Sequence, residues 1–130
     1  MEEPQFRPLT NAERAILEAL VPRGDPATHA LAAQLDHAQV KQIDCEESLQ
    51  FSGDFTDVGS TIISEAKYRD ADSMPETQGG PHVNIILHAR NQKLWMLEFY
   101  KDDGTEILIS RPDPTTLEIL RLGGRVVDLN

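Results

Sequence analysis

Apolar residues recur at the helical period over the first third of the chain and at a period near two from Gln39 onward, which divides the molecule into a helical and a sheet-forming part. Thr10 followed three residues later by Glu13 is a capping box, with Pro8-Leu9 leading into it. It predicts a helix over residues 11–21. Ile16, Leu17, Ala19, Leu20 and Val21 form its apolar arc, Asn11, Glu13, Arg14 and Glu18 are left for solvent, and Pro22 and Gly24 end it. Asp25-Pro26 is a second start signal, an acid at the cap with proline at the first helical position. Ala27, Leu31 and Leu35 then mark a helix running to residue 36 or 37.

Past the switch, Val40 and Ile43 sit in one strand and Leu49 and Phe51 in the next, with a turn at Cys45-Glu46-Glu47. Residues 60–68 form a longer strand, and the punctuation of Asp72, Pro75, Gly79 and Gly80 makes 70–80 a loop. The strongest pair is 82–89 with 93–100, both apolar-rich and close in sequence. A three-residue loop Arg90-Asn91-Gln92 sets Val83 against Phe99, Ile85 against Leu97 and Leu87 against Trp95. The reverse face then pairs His82 with Tyr100, Asn84 with Glu98, Ile86 with Met96 and His88 with Leu94. A two-residue loop at Asn91-Gln92 shifts the pairing by one and brings Glu98 beside Ile85, a worse match. Asp103-Gly104 signals another hairpin leading into a strand over 105–109. Asp113-Pro114 opens a short helix to about residue 122, closed by Gly123-Gly124, and 126–129 forms an edge strand. The fold expected is α+β: two N-terminal helices packed on one face of a mostly antiparallel sheet, and a short C-terminal helix.

The chain of 130 residues fits one domain, 1–130. Its formal charge of −10 argues against nucleic acid and anionic membrane surfaces as partners. The single cysteine, Cys45, allows no internal disulfide or Cys-rich zinc site. Met1-Glu2-Glu3-Pro4 has neither the basic start nor the apolar stretch of a signal peptide, so a cytoplasmic location is expected.

Phe6-Arg7-Pro8-Leu9-Thr10 with Glu13, then Val83-Asn84-Ile85-Ile86-Leu87, and Leu94-Trp95-Met96-Leu97-Glu98-Phe99-Tyr100 closing on Asp103-Gly104, resemble a family of small uncharacterised bacterial proteins. The resemblance covers most of the chain and implies the α+β fold. It brings no assigned activity and no catalytic residues.

Candidate chemistry is sparse. His82 and His88 share a strand face but stand six residues apart, roughly 20 Å, too far to bridge one metal. His29 and His37 are more than two helical turns apart. No metal or cofactor is expected. Carboxylates around Cys45 disfavour its thiolate, and there is neither a G-x-S-x-G nor a phosphate-binding loop. Two groupings remain. His82, Asn84, Glu98 and Tyr100 would put an imidazole, an amide, a carboxylate and a phenol on adjacent cross-strand pairs, a ligand site if the register is right. Residues 44–76 hold nine acids against Lys67 and Arg69, a net of −7. Asp44, Glu46, Glu47, Asp54, Asp57, Asp70, Asp72 and Glu76 would form an electrostatic docking surface for a basic protein.

Three functions follow. The first is a non-enzymatic acidic protein-binding module, of which toxin-neutralising immunity proteins are an example by analogy. The second is a small-ligand binder or minor hydrolase on the polar face of the central hairpin. The third is a homodimer or larger homo-oligomer packed through Ile86, Leu94 and Met96.

Overall fold

The computed structural model describes residues 5–53, 55, 59–72 and 81–127. In chain order these form β1 (Arg7–Pro8), α1 (Asn11–Leu20), α2 (His29–Gln34) with a 3-10 turn Leu35–His37, β2 (Gln39–Gln42), β3 (Leu49–Phe51), β4 (Ser60–Arg69), β5 (His82–Arg90) and β6 (Lys93–Lys101). A 3-10 turn Pro114–Thr116, β7 (Glu118–Leu122) and β8 (Arg125–Val126) follow. Among the described residues the strands make one antiparallel sheet in the order β1-β2-β3-β6-β5-β4-β7-β8. The fold is α+β.

Alternation along β5 is regular: Val83, Ile85, Leu87 and Ala89 are buried while His82, Asn84, Ile86, His88 and Arg90 are only partly covered. The buried set defines the inner face. Ile16, Leu17 and Leu20 of α1 and Leu31 and Ala32 of α2 belong to the same core as Leu49, Ala66, Ile85, Leu87, Leu97 and Phe99. Polar bonds tie the helices in as well. Ser64 Oγ donates to Leu20 O at 2.6 Å, and the Gln34 amide donates to Gln92 O at 2.8 Å while accepting the Leu94 N–H at 2.9 Å.

Several local expectations are corrected. Asp25 caps a turn, accepting the Ala27 N–H at 2.9 Å, and α2 starts only at His29. The segment 105–109 is not a strand. The Leu108 and Ile109 N–H groups donate to the Asp70 carboxylate, each at 2.8 Å, and Thr105 is drawn into a turn on Asp103. A side chain has taken the place of a strand partner. Pro114 starts a single 3-10 turn, after which Glu118–Leu122 pairs with the free edge of β4. An available sheet edge outweighs helix propensity there.

The hairpin β5–β6 departs from both registers considered above. Asn91 and Gln92 alone form the turn, with φ of 49° and 63°, so Arg90 faces Lys93 and Ala89 faces Leu94. An extra residue then enters β6 at Trp95, so that His88 faces Met96, Leu87 faces Leu97, Ile86 faces Glu98 and Ile85 faces Phe99. The two-residue turn is right, and the bulge removes the mismatch of Glu98 with Ile85 by restoring the alternation.

Candidate functional site

The bulge controls the outer face of the central strands. Trp95 has no residue opposite it on β5, and its ring is flanked by side chains from that strand. The Arg90 guanidinium lies over the indole at 3.6 Å, and the His88 ring meets it edge-on, centroids 5.8 Å apart at 77°. His88 Nε2 lies 3.0 Å from Glu98 Oε1, a diagonal contact across the two strands. Met96, Ile86 and Ile62 lie on the same face, partly or well exposed. An amphipathic platform results, with an aromatic ring, a stacked cation and an imidazole–carboxylate pair.

Of the four ligand residues expected from the sequence, three come together. His82, Asn84 and Tyr100 gather at the far end of the hairpin, where Asp102 accepts the Asn84 amide at 2.6 Å and the His82 backbone N–H at 3.0 Å. Those bonds hold the Asp102 carboxyl below its ordinary range. The His82 ring borders a depression with Lys67, Arg69, Thr116 and Glu118. Glu98, moved by the register, belongs instead with His88. Sequence reasoning missed the Trp95–Arg90–His88 grouping, although the unbroken apolar run Leu94-Trp95-Met96-Leu97 interrupts a period-two pattern as a bulge does.

Among the described residues the acidic segment is largely committed to holding the chain. Asp70 has a fully buried side chain that pairs with Lys101 at 2.9 Å and accepts the Leu108, Ile109 and Ala71 N–H groups. Burial would raise its pKa, but these donors hold it low. Asp72 also binds the Lys101 ammonium, at 2.8 Å. Asp44 closes the β2–β3 turn by accepting the Glu46 and Ser48 N–H groups. Glu46 and Glu47 are partly exposed there. Asp54, Asp57 and Glu76 lie outside the described residues.

Glu13 is another buried acid, with its side chain 2% exposed instead of facing solvent. Arg7 grips both of its oxygens at 2.8 Å, Arg111 reaches Oε2 at 3.1 Å, and the Thr10 N–H donates to Oε1 at 2.9 Å. Burial alone would raise its pKa. The two guanidiniums and the cap outweigh burial and hold it at about 2. Arg111 also donates to Glu47 O at 3.0 Å, so the cluster fastens β1, α1, the β2–β3 turn and the segment after β6 to one another. Its charges are mutually satisfied, as a structural clamp requires.

Among the described residues no group of three or more His, Cys, Asp or Glu could hold a metal ion, and no helix is long and apolar enough to cross a membrane.

Residues 6–111 match the family model of a domain of unknown function, DUF6984. The chain belongs to that family. The DUF6984 match takes in the Glu13 clamp and the whole Trp95 platform, while β7 and β8 lie beyond it. No curated protein and no solved structure matches the chain.

Proposed function

We propose that this DUF6984 protein is a non-enzymatic binding module, with α1 and α2 covering the inner face of the sheet and the outer face of β4, β5 and β6 serving as its recognition surface. The observation that carries this reading is Trp95, placed by a bulge on the polar side of the sheet, with Arg90 stacked on it at 3.6 Å and Ile62, Ile86 and Met96 on the same face. An aromatic anchor amid polar groups is the usual core of a recognition surface. The acidic segment makes a weaker docking surface, because Asp70, Asp72 and Asp44 already have internal partners. A small-ligand reading draws on the corner of His82, Asn84 and Asp102 and the depression beside it.

The test is amide and indole chemical-shift mapping of the whole chain against pools of peptides and of small fragments. Shifts should cluster at the Trp95 indole, His88 and Arg90 when peptides bind. Shifts centred on His82 and Asn84 with fragments would favour the small-ligand reading, and peptide shifts centred on the Asp44–Ser48 turn would return the docking surface to the acids.

A further inference from the structure

Charge is unevenly divided between the outer face and the rest of the molecule. Register places six of the chain's twelve Lys and Arg on outward strand positions: Lys41, Lys67, Arg69, Arg90, Lys93 and Arg121. Only Glu65, Glu98 and Glu118 oppose them there, although the chain has 22 acids. The outward strand positions thus carry a net +3, which leaves −13 on the remainder of a chain of net −10. Each of the three acids is engaged: Glu65 with Arg121 at 3.0 Å, Glu98 with His88 at 3.0 Å and Glu118 with Lys67 at 3.6 Å. Among the described residues, Lys41, Arg69, Arg90 and Lys93 have no carboxylate in ion-pair range. Arg90 and Lys93 face each other directly at the turn end of the hairpin, and Lys41 projects from β2 on the row that holds Met96 and His88.

We infer that the partner of this face is an acidic polypeptide segment with an aromatic or aliphatic anchor residue, its carboxylates meeting Arg90, Lys93 and Lys41 and its anchor lying on Trp95, Met96 and Ile86. This rests on the recognition surface proposed above and reverses the basic partner that the overall charge suggests. Two like charges placed opposite one another cost stability when nothing neutralises them, and a carboxylate from a partner removes that cost. The face spans about five strand spacings from β2 to β7, roughly 24 Å. A short peptide fits within it. An extended polyanion such as nucleic acid would run beyond it into the field of the remaining −13, which a Debye length of about 8 Å screens only in part.

Selection of binders to the intact protein from a displayed library of random peptides decides the matter, with affinities read from the single tryptophan, Trp95, and sites mapped by chemical shifts. Selected peptides should carry net negative charge with a Phe, Trp or Leu, perturb Trp95, and bind several-fold more weakly at about 0.5 M salt than at about 0.05 M. Lys93→Glu and Lys41→Glu should each weaken binding about fivefold or more with the circular dichroism spectrum unchanged. Neutral or basic peptides that perturb Trp95 would overturn the acidic partner while leaving the recognition surface standing. Peptides that bind without perturbing the outer face, or no selectable binders, would overturn both. Oligothymidylate that perturbs Trp95 and outcompetes the selected peptides would overturn the choice of a polypeptide.

Discussion

The two faces of the β5–β6 hairpin are built from the same eighteen strand residues and obey different rules. On the inner face Ile85 meets Phe99 and Leu87 meets Leu97, and all four are essentially fully buried. Any register that keeps the parity keeps such a face apolar, because burial depends on which side a residue points to and little on which residue stands opposite. On the outer face the partner is everything. Moving β6 by two residues leaves the core recognisable but takes Glu98 from Asn84 to Ile86, within reach of His88, and takes Trp95 out of the pairing altogether. Burial is therefore concentrated on one face, while on the other the register decides which side chains meet.

The largest test of that division is a pair of truncations. Phe99→Ala should cost about 3–5 kcal/mol by chemical denaturation, since it opens a cavity under the sheet. Trp95→Ala removes a larger side chain yet should cost only about 1–2 kcal/mol, made up of partial burial and the stacked Arg90. Equal losses would mean that the indole is core and that the outer face is not a free surface.

A second test sets the Glu13 clamp against the His88–Glu98 contact of the outer face. The Glu13 carboxyl is held at about 2, against an ordinary value near 4.5 in the unfolded chain. Its folded pKa is depressed, so the stabilisation is fully present above about pH 4.5 and is lost as pH falls from there toward 2. The loss should be roughly 3 kcal/mol. Asp70 is shifted in the same direction, its backbone and Lys101 donors outweighing burial. The difference between wild type and Glu13→Gln, measured by denaturant midpoint across that window, isolates the Glu13 part: the variant should be less stable at neutral pH and converge on wild type in acid. His88→Gln, which loses a partly exposed pair, should move stability at pH 7 by less than about 1 kcal/mol. A pH-independent gap between wild type and Glu13→Gln would show that the clamp acts through packing alone.

These contrasts also explain what was legible in the sequence. The capping box at Thr10, the two helices and the strands from β2 to β6 rest on periodicity and local chemistry, which a single chain displays. Their long-range consequences do not show. Glu13 reads as a solvent-facing cap residue because its partner Arg111 is 98 positions away. Asp70 reads as a surface acid because nothing nearby reveals that Leu108 and Ile109 will donate to it. The segment after Asp113-Pro114 reads as a helix because the open edge of β4, which turns it into β7, is a property of the assembled sheet. The outer-face site was half legible: its residues lie on two recognisable strands, but their grouping hangs on one bulged residue.

The smallest expected effect probes that residue count directly. Two central residues in the left-handed region make a turn that suits Asn-Gly, because glycine enters it without the Cβ clash and asparagine tolerates it. Asn91 supplies the first position, whereas Gln92 holds φ of 63° with a full side chain. Nothing that Gln92 contributes from its side chain is needed, since the bond from Gln34 is to its backbone carbonyl. Gln92→Gly should therefore stabilise the protein by about 0.5 kcal/mol, the relief of left-handed strain exceeding the extra entropy of glycine in the unfolded chain. Asn91→Gly should gain less, because asparagine already accepts its conformation. A three-residue loop with the register first expected would hold only its third residue, Gln92, in the left-handed region, and Asn91→Gly would then lose stability through the entropy term alone. The sign of a sub-kilocalorie change at the turn thus reports which residues share the outer face beyond it.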